Sequence, residues 1–246
     1  MILGFVTLRF LTEKPTEATW LSAQQRTWLI ERLRQDQIEH PADHGMPPLR
    51  ALLHPLIWMA AIPELLVTTA GYAYLFWGPL LIRETLQTSN MMIGLWEAAI
   101  AVLSARSMLL VEAHSDKTGE RTGHAAICAT FVALGCVSAA VSVNPYAKIA
   151  SLILMQVLVI SFLAPFWCIP TLLLSGSSAA IGIALVNAIG NVGAFIGPTA
   201  IGFLRTRTGG DTGAFLGLGA MAAIAAVIIF LLGKTPQLRN QRKSAI

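Results

Sequence analysis

Charge is scarce in this chain. Of its 246 residues only 12% are Asp, Glu, Lys or Arg, about half the share found in soluble domains. At the same time 55% are hydrophobic and the mean hydropathy is +0.65. That balance excludes an ordinary soluble domain and describes a polytopic membrane protein. Catalytic signatures are missing as well. There is no Gly-rich phosphate loop, Ser/His/Asp set, HExxH or pair of carboxylates in a suitable setting, so an enzyme is not expected. Cysteine is limited to Cys128, Cys136 and Cys168, all inside apolar runs and without ligand spacing. They read as small packing residues, and neither metal nor cofactor is expected. The net charge of +4 is not a nucleic-acid signal, because the basic residues cluster beside the apolar runs. A secretory leader is also absent from the pattern. Met1–Phe10 is apolar but shorter than the ~20 residues of a span, and it lacks a basic start and a cleavage site.

What the chain does contain is a series of apolar runs separated by polar punctuation. Residues 1–11 read as the end of a membrane helix whose start lies upstream. Residues 12–53 form a polar segment that cannot span. Within it Ser22 and Gln25 have capping-box spacing. Leu21, Trp28, Leu29 and Leu33 then share a helix face, with Arg26, Arg32 and Arg34 elsewhere. This predicts a short amphipathic helix lying on the membrane surface, or one packed on a neighbouring domain. His40–Pro48 has linker composition. Residues 54–233 hold six spans: about His54–Ile82, Met91–Glu112, His124–Ser142, Lys148–Leu174, Ser177–Leu204 and Gly213–Gly233. A basic tail, 234–246, follows.

Six spans put both ends on one side of the lipid bilayer. Twelve of the seventeen Lys and Arg residues lie on that side, and four (Arg83, Lys148, Arg205, Arg207) on the other, with Arg106 inside a span. The positive-inside bias makes the shared side cytoplasmic, in a cell or inner membrane. Between the second and third spans lies the densest charge in the membrane domain, Ser115–His124. Five of these ten residues are ionisable, so this stretch must be a turn outside the hydrocarbon.

Polar residues inside spans are costly and mark candidate sites. Glu64, Thr68, Gly71 and Tyr72 fall on one face of the first span, with Tyr74 and Trp77 nearby. The stripe either lines a solute path or lets Glu64 reach water or a neighbouring helix. Glu97 and Arg106 lie on opposite faces of the second span and cannot pair. The fourth span places Trp167 between Pro165 and Pro170, in a cavity wall or an interfacial belt. In the fifth, Asn187 and Asn191 share a face. Gly190, Gly193 and Gly197 form a smooth adjacent seam with GxxxG spacing, and Pro198 breaks the backbone hydrogen bonding. The fifth span is therefore expected to be tightly packed, and either a pore-lining, movable helix or one whose asparagines only bond to neighbouring helices.

These stretches together resemble the major facilitator superfamily. Ser115-Asp116-Lys117-Thr118-Gly119-Glu120-Arg121 is similar to its loop signature between the second and third helices of each half. More narrowly, the chain resembles the anion:cation symporter branch. The resemblance there rests on the Pro15 to Leu29 segment, Phe166-Trp167 with Pro170, and the run Ala184–Pro198. It implies an all-α membrane domain, helices seven to twelve of a twelve-helix fold in which solute is held between two halves. By the resemblance, Trp167 and Asn187 would contact a small organic anion, with Tyr72 and Tyr74 as further contacts; Glu64 and Asn191 are added as candidates from the polar faces of their spans. Asp116, Lys117, Gly119 and Arg121 would form a gating loop, in which the aspartate binds a helix start or basic group of the other half. The function implied is the carboxy-terminal half of a proton- or cation-coupled symporter. Its partner would be a missing amino-terminal half or a second copy of the chain. The alternatives are a non-transporting truncated remnant or a membrane assembly subunit. Glu112-Ala113 departs from the family pattern, which has Gly followed by a basic or small residue there.

Overall fold

The computed structural model describes residues 15–39, 52–173, 176–236 and 238. The expectations for residues 1–11, for the linker His40–Pro48 and for Arg239, Arg242 and Lys243 of the tail fall outside these. The chain divides into two compact units, 1–45 and 46–246.

In the first unit a 3-10 turn, Pro15–Glu17, precedes α1, Ala23–Glu39. The capping box forms as its spacing predicts. The Gln25 N–H donates to Ser22 Oγ at 3.2 Å, and the Ser22 N–H donates to Gln25 Oε1 at 3.1 Å. Arg26 folds back to donate to the Ala18 carbonyl at 2.7 Å. Trp28 and Leu33 on the apolar face remain exposed.

The second unit contains six helices long and apolar enough to cross a membrane, and there is no strand among the described residues. They are α2 (Pro55–Leu86), α3 (Asn90–Thr118), α4 (Thr122–Val141), α5 (Pro145–Leu173), α6 (Gly176–Thr208) and α7 (Thr212–Leu232). Helices are the expected solution because a backbone in hydrocarbon must satisfy its own polar groups. Five of the six are longer than the sequence-based spans, and α7 matches its span in length. At 1.5 Å per residue, the 32 residues of α2 reach about 48 Å, well beyond the roughly 30 Å hydrocarbon core. α4 and α7, with 20 and 21 residues, are just long enough.

The charged turn is correspondingly shorter than expected. Ser115–Thr118 forms the last turn of α3, Thr122–His124 begins α4, and only Gly119–Arg121 is non-helical. Gly119 ends α3 with φ 61°, the left-handed conformation that glycine adopts without steric cost.

α2 is the hub, packed against α5, α6 and α7. α4 packs on α5 and α7, and α3 leans chiefly on α5. Small residues let these axes approach, as is usual where lipid removes the hydrophobic drive between helices. Gly135 of α4 lies against the Met155 backbone of α5, where an added Cβ would sit 3.0 Å from it. Ala129, Ala133 and Cys136 of α4, with Ala222 and Ala225 of α7, are buried. Cys128 and Cys136 are thus packing residues, and Cys168 is half-buried. The Ser138 and Ser151 hydroxyls join α4 to α5 at 2.8 Å. α3 and α6 are the least covered helices. Only 11% and 22% of their most apolar stretches are buried, against 44–50% in the other four.

Candidate functional site

α2, α5 and α6 enclose a cavity of about 340 Å³, within the range of small-molecule sites. Its polar lining is drawn from all three helices: Glu64, Thr68 and Tyr72 from α2, Gln156 and Trp167 from α5, Asn187 and Asn191 from α6. The glycine seam sets this geometry. An added Cβ at Gly193 would lie 2.8 Å from Thr69 Oγ1, and one at Gly197 would run into the Thr69 carbonyl oxygen. α6 therefore touches the α2 backbone, and its neighbouring asparagine face turns to the cavity rim.

The rim is knitted by hydrogen bonds. Tyr72 Oη donates to Asn191 Oδ1 at 3.0 Å. Asn191 Nδ2 donates to the Asn187 carbonyl at 2.8 Å and to Asn187 Oδ1 at 3.0 Å. Thr68 Oγ1 donates within α2 to the Glu64 carbonyl at 2.6 Å and across to the Gly190 carbonyl at 3.0 Å. Asn187 and Asn191 are exposed, so the cavity opens to the surface. Glu64 is 4% exposed, and its Oε2 has no hydrogen-bond partner. Neither does the buried Gln156 Oε1.

The structure separates other residues from this set. Tyr74 does not line the cavity. It is 3% exposed and donates to Glu97 Oε1 of α3 at 3.1 Å, because the two tyrosines, two residues apart, point to different sides of α2. Trp77 donates to the Pro198 carbonyl at 3.1 Å and lies 5.1 Å beneath the Arg205 guanidinium. Pro198 sits within a continuous α6, outside the lining. Arg106 faces a separate groove between α3 and α5 with Ser107 and Ala150. Gln156 escaped the sequence reading, although it is the single amide in the 29 residues of α5.

At the short turn the charges are paired within the chain. Arg121 bridges Asp116 at 2.5 Å and Glu112 at 3.2 Å, and also donates to Ser115 Oγ at 3.2 Å. Glu112, the departure noted in the sequence, thus partners the signature arginine. Glu120 caps α4, accepting from the Gly123 N–H at 2.6 Å and the His124 N–H at 3.1 Å. Burial pushes its carboxyl up. The Gly123 N–H, the Thr122 hydroxyl and the His124 ring and N–H outweigh that and hold it below the ordinary range. His124 Nε2 meets His114 Nδ1 at 2.6 Å. Lys117 stays exposed. At the opposite end of the bundle Arg205 bridges Glu84 at 2.7 Å and Asp211 at 3.0 Å, and Lys148 reaches Asp211 at 3.4 Å.

Six candidate spans with a polar cavity at the junction of three helices make this a multi-pass membrane domain. The chain is 32% identical over 96% of its length to a protein of Agrobacterium vitis named as a tartrate transporter. It is 27% identical over 94% of its length to a quinolone resistance transporter of Acinetobacter baumannii, and 30% identical over 93% to the inner membrane transport protein RhmT of Escherichia coli K12. It covers 54%, 54% and 53% of these proteins, and so spans about half the length of the curated relatives it matches. No family profile and no solved structure matches it. These relatives are transporters of the major facilitator type, and this chain is similar to about half of each.

Proposed function

We infer that this chain is the carboxy-terminal half of a secondary active transporter of the anion:cation symporter branch, moving a small organic anion with a proton or cation by alternating access. The observation that carries the reading is the cavity. It has a polar lining on three helices, opens to the surface at the two asparagines, and belongs to a chain half as long as its transporter relatives. A second six-helix unit would supply the other wall, either an amino-terminal half or a second copy. Trp167 Nε1 and Asn187 Nδ2, which donate no hydrogen bond within the described chain, are the groups suited to a carboxylate. The gating role goes to the α3–α4 turn with Asp116, Lys117, Gly119 and Arg121, on the cytoplasmic side of the inner membrane. Here the pairing of Asp116 with Arg121 holds the gate charge inside this half until the other half competes for it.

The test is uptake of labelled organic acids, tartrate among them, into vesicles with and without a proton gradient, by the chain alone and by a version joined to six upstream spans. Gradient-dependent uptake of at least one acid by the joined version is expected. Replacement of Asn187 or Trp167 with Ala should reduce uptake about tenfold, the loss of one charge-assisted hydrogen bond. No uptake of any acid would sink the symporter reading and favour a membrane assembly subunit.

A further inference from the structure

Glu64 sits at the floor of the cavity with no counter-charge. Its side chain is wedged between α2 and α6, since an added Cβ on Gly190 would lie 2.5 Å from Glu64 Cγ. Oε2 is buried and unpartnered, and the buried Oε1 of Gln156 in the same lining is unpartnered too. Two orphan acceptors share one pocket. Leaving a buried acceptor unmatched costs about 1–3 kcal/mol, and more when it is charged. A proton on Glu64 removes the charge and turns its unpartnered oxygen into a donor in a pocket that holds a second orphan acceptor.

The surroundings offer no counter-charge for an ionised Glu64. The lining contains no Lys, Arg or His, and its one other titratable group is the Tyr72 phenol, already given to Asn191. From α7 nothing titratable faces α2, because Thr212–Leu232 contains none. On α6, Arg205 and Arg207 lie in the last turn, and Arg205 is held by Glu84 and Asp211. On α5, Lys148 pairs with Asp211, Tyr146 is exposed at the helix start, and Cys168 lies against Glu112. On α3, Glu97 is held by Tyr74 and Arg106 faces the other groove. The thiols of Cys128 and Cys136 are buried in α4, and its His124 is bonded to Glu120 and His114 at the far end.

We propose that Glu64 is the proton-binding residue of this cavity. The consequence for transport rests on the anion reading above. An anion brought beside an ionised Glu64 meets repulsion that no cation in the lining offsets, and protonation of Glu64 removes it. By linkage each ligand then strengthens the other, so anion and proton load together and leave together. The proton comes from water at the open mouth and returns to water on release, with no other bond made or broken.

The test does not need transport. The purified chain in lipid nanodiscs is titrated with pH by infrared spectroscopy, following the carbonyl stretch of protonated carboxyls. In the wild type a band is expected that titrates apart from those of the water-exposed carboxyls, disappears in Glu64→Gln and persists in Glu97→Gln. Absence of such a band from the folded wild type, or its survival in Glu64→Gln, overturns the proposal, as does its loss in Glu97→Gln alone. Should Glu64→Gln not fold, the Glu97→Gln/Glu112→Gln chain decides, since it removes the two other glutamates of the spanning helices that are not exposed, and loss of the band there overturns the proposal. In an assembly that transports, Glu64→Gln should keep solute exchange and lose at least tenfold of gradient-driven accumulation; unchanged accumulation overturns the coupling. An assembly that moves no acid defeats the anion reading while the infrared result still decides the proton site.

Discussion

Glu120 shows how one side chain sets a boundary. Its two oxygens take two of the N–H groups that the start of α4 leaves unpaired, and its carboxyl is held below the ordinary value of about 4.5. A group lowered in the folded state contributes stability that is full above its unfolded value and is lost as pH falls through the folded one. Glu120→Gln should therefore lower the unfolding temperature in detergent at neutral pH, by the equivalent of about 0.5–2 kcal/mol for a lost cap. It should also flatten the decline below about pH 4.5. An unchanged acid limb would show that the cap carries no charge-dependent stability. Glycine positions make an equally sharp contrast. An added methyl at Gly197 meets the α2 backbone at Thr69 and Ala73, which cannot swing away, whereas at Gly94 of α3 it meets nothing within 4 Å. Gly197→Ala should cost about 1–3 kcal/mol by overpacking. Gly94→Ala should be neutral or gain up to about 1 kcal/mol. Detergent unfolding midpoints of the two variants check both, and equal midpoints would refute the seam.

Elements were legible where one constraint acts locally. Each span betrays itself because hydrocarbon tolerates few charges over some twenty residues, and the Asn187–Asn191 face follows from helical period alone. The Ser22–Gln25 cap is equally local. Partnerships across helices were not legible. Tyr72 finds Asn191 across 119 positions, and Tyr74 finds Glu97 across 23. No periodicity within α2 says which tyrosine faces the cavity. Helix ends ran past the apolar runs for a related reason. A helix leaving the membrane is limited by caps such as Gly119, not by hydropathy, so α3 swallowed Ser115–Thr118 of the expected turn. α3 is also the loosest element, joined to the bundle by the Tyr74–Glu97 bond and the 2.7 Å Ser161–Ser107 hydroxyl contact. Ser107→Ala should thus raise amide hydrogen exchange in α3 several-fold while leaving α4 and α7 unchanged. A uniform rise in all helices would mean that α3 does not move independently.

At the scale of the molecule, the uneven cover of the helices points to what is outside the chain. α3 exposes Val102 and Leu109 at 69% and 66% while α4 and α7 bury their small faces against each other. Single cysteines at these two positions should react with a membrane-permeant thiol reagent in the chain alone and be protected at least fivefold once a second six-helix unit is present. Unaltered reactivity would place the partner elsewhere or remove it. The two ends of the bundle are built differently, too. Where α2 meets α6 near the Arg205–Glu84–Asp211 cluster, contact relies on charges that are partly open to water, Glu84 being 45% exposed. Further along, the same helices touch through glycine and backbone. Dissolved ions weaken the first kind of contact over a Debye length of about 8 Å at physiological strength and leave the second untouched. The salinity of the compartment bathing that end becomes a control knob: brine on that face of the membrane weakens the charged contact of α2 with α6 and leaves the glycine seam intact.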